Sequence, residues 1–302
     1  MTKTQQKPRM GDRLSLKTRN TLTGWAFILP NFIGFFIFIL IPVIASFALS
    51  VVNWNGRGDF SFAGLQHYIY IFKDSTFRIS LKNTFVYVFF NVIFTIVLSL
   101  AVALLLNQKI RGRNFFRAIA FFPYMISGVA TATIWGMLLQ KDMGLVNSFL
   151  KVLGFTNVPA WFASTKTSMA SVILVTVWKN FGYYMVIFLA GLQSVPGELY
   201  EAATMDGATE WQKTLRITLP LLNHTSYLVL MLLIISSFQV FDIIFLMTEG
   251  GPGRSTTVLS QYIYNQAFNY WDYGRASAAA VVLFLIVATL TILQTKFEKK
   301  DY

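Results

Sequence analysis

The sequence predicts an all-α polytopic membrane protein with six transmembrane helices, both termini cytoplasmic, and a helical segment on the cytoplasmic face between the fourth and fifth spans. Three observations predict it: six long apolar runs, a low charged fraction, and basic residues gathered on alternate loops. Of 302 residues, 25 are Lys or Arg and 13 are Asp or Glu, so 13% are charged, against about 25% in soluble domains. Hydrophobic residues make up 55% and Phe alone numbers 29; mean hydropathy is +0.56. This balance excludes a disordered chain, a nucleic-acid tail protein and an ordinary soluble enzyme. The Cys count is 0, so there is no disulfide framework, thiol nucleophile or thiolate metal site.

A helix needs roughly 20 apolar residues to cross about 30 Å of hydrocarbon. Runs of that length occur at 24–49, 85–106, 118–140, 168–192, 225–247 and 276–295. The charged residues inside them are Lys179 and Asp242. A basic tail, 1–23, precedes the six-span domain, 24–295, and a short tail, 296–302, follows it. The first run is too long for a signal-peptide core and five more follow it, so it is expected to be retained.

Lys and Arg set the orientation. With the N-terminus inside, segments 1–23, 107–117, 193–224 and 296–302 hold 15 basic residues in 73 positions. The segments 50–84, 141–167 and 248–275 then hold 9 in 90. Lys109, Arg111, Arg113 and Arg117 crowd one short loop. The net charge of +12 is therefore mostly topology, and none is left over for a nucleic-acid face. Pro30, Pro42 and Pro123 fall inside spans and suggest kinked helices in a packed bundle. Small residues at 128, 130 and 132 and at 276 and 278–280 fit close helix contacts.

The loop 193–224 does not read as a linker. Ser194 is an expected N-cap with Pro196 just inside the helix start. Leu199, Ala202 and Ala203 give a small apolar face at i, i+3, i+4. Glu198 and Glu201 suit the opening turns of a helix dipole. Gly207 is expected to stop the helix in the left-handed region, and Thr209 with Gln212 to start a second one through a capping box. An amphipathic helix between two spans buries its apolar face either on its own bundle and headgroups or on a cytoplasmic partner.

Glu201-Ala202-Ala203, Asp206-Gly207-Ala208 and Ile217-Thr218-Leu219-Pro220 resemble the EAA signature of binding-protein-dependent ABC importer permeases. Phe241 through Pro252, with Gly250-Gly251-Pro252, Ser255-Thr256-Thr257 and Tyr262-Ile263-Tyr264, resembles the sugar branch typified by the maltose permease subunit. Phe62 to Tyr68 is similar to that branch's first outer loop. The resemblance covers about 24–295, without the long inserted outer domain of the maltose subunit. It implies a coupling helix in which Glu201, Ala202, Ala203, Asp206 and Gly207 dock on an ATPase subunit. No G-x-x-x-x-G-K-[ST] sequence occurs, so ATP and Mg belong to two partner ATPase subunits and no cofactor is expected in this chain. A second permease subunit, an extracytoplasmic solute-binding protein and a sugar substrate are the other implied partners. The implied location is a bacterial or archaeal cytoplasmic membrane. The choice of a heterodimer rests on the resemblance, since a homodimer is equally possible on physics.

Polar residues inside spans are candidates for a substrate path. Span four carries Thr176, Asn180 and Tyr183 at i, i+4, i+7, and span five carries Ser236, Ser237, Gln239 and Val240. These offer hydroxyls, amides and an aromatic face, which a sugar needs; interhelical hydrogen bonding is the plainer use. Asp242 is expected to brace the turn at Gly250, Gly251 and Pro252. Two other readings stay open: an ion-driven transporter or channel, which usually shows carboxylates near the midplane, and a permease for a polyol phosphate.

Overall fold

In a computed structural model, residues 16–108 and 110–298 are described. Most of the basic tail, Lys109 and residues 299–302 lie outside them. The first apolar run forms one rod: α1 (Leu16–Phe35), a π-turn (Phe36–Leu40) and α2 (Ile41–Leu49). Pro42 has no N–H, and its ring crowds the carbonyl one turn back. The widened turn answers this, letting the Ile41 N–H donate to Phe36 O. The same device precedes Pro220, where the Leu219 N–H donates to Thr214 O across the π-turn Thr214–Thr218. No residue from 20 to 49 is buried within the chain; the segment carrying Pro42 packs on the rest of the subunit through Phe47 and Phe284, whereas packing inside this subunit does not explain Pro30, contrary to the expectation above.

A short hairpin follows, with β1 (Val52–Asn53) antiparallel to β2 (Ser61–Phe62). His67, buried on α3 (Gln66–Lys73), sits with Nε2 3.1 Å from Val52 O and ties the helix to the hairpin. Asp74 caps α4 (Ser75–Asn107) by accepting from the Thr76 N–H at 2.8 Å. Its 33 residues make a rod about 50 Å long at ~1.5 Å per residue. It begins well before the apolar run because Arg78 and Lys82 occupy its first turns.

The third apolar run is not one helix. It divides into α5 (Arg113–Met125) and α6 (Gly128–Leu138), bent by 97°. After α7 (Leu145–Val152), α8 (Ser168–Gln193) runs unbroken. Then come α9 (Gly197–Met205), α10 (Glu210–Lys213), the π-turn and α11 (Leu219–Leu221). The fifth run is also interrupted: α12 (Asn223–Phe238) ends before α13 (Asp242–Thr248). The chain closes with α14 (Leu259–Tyr264), a π-turn (Asn265–Asn269) and α15 (Tyr273–Glu298). Four helical rods are long and apolar enough to cross a membrane, or six when the α5–α6 pair and the bent 210–238 segment each count as one.

The core lies where α4, α8 and α12 meet, around Tyr87, Val172, Met185, Phe188 and Leu233. Helix α5 lies against α8 at Gly182, where a Cβ would stand 1.9 Å from Ala120 O. A second cluster at the far end from α9 packs Ala278 and Ala279 of α15 on Ile71, Phe77, Leu259 and Tyr262. The Tyr262 Oη donates to Asp74 Oδ2 at 2.8 Å. Burial, then the Asp74 carboxylate, push this phenol well above its ordinary range, so it remains a donor.

The Gly250-Gly251-Pro252 loop has a cis Gly251–Pro252 bond and is held by its own threonines. Thr257 Oγ1 donates to Gly250 O at 3.0 Å and Thr256 Oγ1 to Gly251 O at 2.8 Å. Asn83 of α4 donates to Arg254 O and Thr257 O. Asp242 is not the brace expected from the sequence. It opens α13, next to Gly128 of α6.

Candidate functional site: a polar cavity and an exposed helical turn

The two helix breaks meet beside α8, with Gly128 against Asp242. Together they shape a cavity of about 230 Å³. Span four contributes Thr176, Lys179 and Asn180; Ser236 and Ser237 end α12, and Gln239, Val240 and Phe241 form its break. Asp242 and Ile243 begin α13, Gly128 begins α6, and α4 supplies Tyr87 and Asn91. Six of the seven residues proposed for a path therefore share one cavity: Thr176 and Asn180 reach it as a stripe on unbroken α8, and the span-five residues reach it from the end of α12.

The exception is Tyr183. Its ring stacks on Tyr124 at 4.6 Å between centroids, with an interplanar angle of 16°. It is a strut between α8 and α5, not a lining residue. Tyr184, its neighbour, sits 3.1 Å from Ser236 through the two hydroxyls.

Sequence reasoning missed Tyr87 and Asn91. Asn91 is 2% exposed; its Nδ2 donates to Ser237 Oγ at 2.8 Å, and its Oδ1 is buried with no protein partner. A buried amide oxygen without a donor costs about 1–3 kcal/mol, so Asn91 carries an unmet acceptor beside the cavity. The missed signal was a stripe: Ser80, Thr84, Tyr87, Asn91, Thr95 and Ser99 recur every three or four residues along α4, and all are buried. Hydropathy averaged over span two hides it.

The second site is the segment 194–222. Ser194 does not cap α9. It ends α8, with its Oγ donating to Gly191 O at 2.7 Å; the N-cap of α9 is Pro196, without a side-chain bond. The end of α9 is a Schellman motif: the Gly207 N–H donates to Thr204 O and the Ala208 N–H to Ala203 O. Gly207 holds φ at +76° to make it. The capping box of Thr209 and Gln212 starts α10, and the Tyr200 and Thr218 hydroxyls, 3.0 Å apart, tie α9 to the π-turn.

The turn is thus rigid by its own bonds, yet it is uncovered. Glu201, Ala202, Asp206 and Gly207 are exposed and Ala203 is half-buried. Met205 is 89% exposed and Trp211 70%, two large apolar side chains the sequence reading did not single out. Packing of the small apolar face on the bundle is not what this chain shows.

Residues 96–300 match the family described as the binding-protein-dependent transport system inner membrane component. The chain belongs to this family. Among relatives, the trehalose/maltose transport system permease protein MalF of Thermococcus litoralis is 34% identical over 282 residues, covering 93% of this chain and 95% of that protein. The multiple sugar-binding transport system permease protein MsmF of Streptococcus mutans is 33% identical over 285 residues, covering 94% and 98%. A chain of a bacterial alginate ABC transporter, solved in complex with an alginate pentasaccharide-bound periplasmic protein, superposes with a TM-score of 0.85. It is 26% identical, with 96% of this chain and 98% of that chain covered. As a binding-protein-dependent permease component, the protein is a multi-pass inner-membrane transport subunit, and its broken third and fifth spans lie within the matched region.

Proposed function

We propose that this permease passes a sugar or oligosaccharide inward by alternating access, driven by ATP hydrolysis on two separate ATPase subunits. The observation that carries this reading is the cavity, where hydroxyls and amides from three spans converge at two helix breaks around the orphan Asn91 oxygen. A glycan is a dense array of hydroxyl donors and acceptors, and a buried polar site rejects analogues lacking them. The names of the trehalose/maltose and multiple-sugar relatives support the substrate class. The periplasmic protein in the alginate complex supports an external solute-binding partner. The exposed turn of Glu201, Ala202, Ala203, Asp206 and Gly207 is the docking surface for the ATPase subunit, and Met205 and Trp211 extend it. A second, similar permease completes the path as a heterodimer. The termini and this turn face the cytoplasm, where ATP is.

Proteoliposomes holding the complex with its partner subunits and loaded binding protein should accumulate maltotriose, as a first neutral probe, only with Mg-ATP on the ATPase side. Uptake driven by an ion gradient without ATP would overturn the reading. Asn91→Ala, Asn180→Ala and Ser237→Ala should each lower the uptake rate about tenfold while the complex still assembles, the size expected when a buried hydrogen bond of ~1–2 kcal/mol is removed. Normal uptake in all three would move the path elsewhere.

A further inference from the structure

Lys179 lies mid-way along α8, where an ammonium is expensive unless it finds partners. Its partners are backbone carbonyls. The Nζ donates to Tyr124 O at 3.4 Å and, more closely, to Ile126 O. Tyr124 lies in the last turn of α5 and Ile126 is its C-cap, where the third span breaks.

Backbone accounting shows why they are free. In a continuous helix, Ile126 O would accept from the Ala130 N–H. Here the Ala130 N–H donates instead to Ser127 Oγ, the N-cap of α6. Tyr124 O loses its partner because Gly128 lies beyond the corner. Inside a bilayer such carbonyls must be satisfied by protein, and the C-terminal end of a helix carries partial negative charge. A cation on a long arm from the neighbouring helix meets both needs. On its other side the corner seats Gly128 against Asp242, whose Cβ lies 3.6 Å from where a Gly128 Cβ would stand. Among the described residues Lys179 and Asp242 form no ion pair, although both line the cavity.

We propose that Lys179 is a positioning residue that latches the α5–α6 corner to α8 and so fixes the wall of the cavity at the third-span break. The ammonium is committed to backbone and holds the corner; it is not a counter-ion for Asp242 or for a charged substrate. The role in transport rests on the cavity being the sugar path; the latch itself does not.

This chain has no native Cys, so with cysteine-free partner subunits spin labels introduced at Met137 of α6 and Val186 of α8, both exposed, report the corner without background. In the assembled complex, the distance distribution between them should be narrow in the parent and in Lys179→Arg, which keeps donors and charge. It should broaden in Lys179→Met, and ATP-dependent uptake should fall about tenfold, the effect of orphaning the carbonyls, with Arg restoring it to within about threefold. Should the Met variant fail to assemble, Lys179→Gln, whose shorter arm falls short of the carbonyls, carries the same comparison. An unchanged distribution in the neutral variant, or an Arg variant as impaired as Met, overturns the latch. A parent complex that shows the narrow distribution but takes up no sugar would instead count against the substrate assignment alone.

Discussion

Gly182→Val should leave almost no assembled complex after mild detergent extraction, and Gly182→Ala should already lower its melting temperature sharply. A Cβ at 182 would stand 1.9 Å from Ala120 O and 2.7 Å from Ala120 C. These are backbone atoms of α5, so nothing can rotate aside and the helices must separate. Overpacking of this kind costs about 1–3 kcal/mol and sometimes more, and the contact here is with an unyielding partner. Separation would also pull Tyr124 off Tyr183 and draw the α5 carbonyls away from Lys179. Fluorescence-detected size exclusion after heating checks the effect. Wild-type behaviour of the Ala variant would show that α5 does not lie against α8 at this depth.

The second large effect is expected at the α9 turn. Gly207 holds φ at +76° with no atom within 4 Å of a built Cβ, so a substitution there is opposed by backbone conformation and not by crowding. A β-branched residue in this region costs about 1–3 kcal/mol, enough to unmake a turn held by two hydrogen bonds. Gly207→Val should therefore release the ATPase subunits in a pull-down. Glu201→Ala should leave the subunit's stability unchanged, because the side chain is exposed, yet abolish the stimulation of ATP hydrolysis by loaded binding protein together with uptake. The pairing separates shape from contact. Full stimulation in both variants would remove the turn from the coupling route.

Spans two, four and six were legible because an uninterrupted apolar run and an uninterrupted helix look alike in sequence. The breaks at Ile126–Ser127 and Gln239–Phe241 were not, since the break residues carry no glycine or proline and an apolar run reads the same whether straight or bent. Pro123 pointed near the first break, three residues early. Gly207 and the Thr209–Gln212 box were legible because left-handed turns and reciprocal caps need particular residues at fixed offsets. Ser194 misled because a hydroxyl two residues before a proline fits the start of one helix as well as the end of another. Tyr183 was placed in the path by spacing on α8 alone; its actual partner, Tyr124, lies 59 positions earlier, beyond the reach of any local pattern. The same holds for Asn91 and Ser237, joined across 146 positions.

The rod made by α1 and α2 bears on biogenesis. From 20 to 49 the finished subunit buries none of the rod's residues. Its register in the bilayer must then be set by its own flanks and lipid fit, well before α15 arrives to touch α2 through Phe284 and Phe47. Of its length of about 45 Å at ~1.5 Å per residue, the part before α2 faces outward, with Phe27 and Phe38 about four-fifths exposed. Lipid tails are as apolar as that surface, so the bilayer alone satisfies the rod, and it needs no partner subunit to stay inserted.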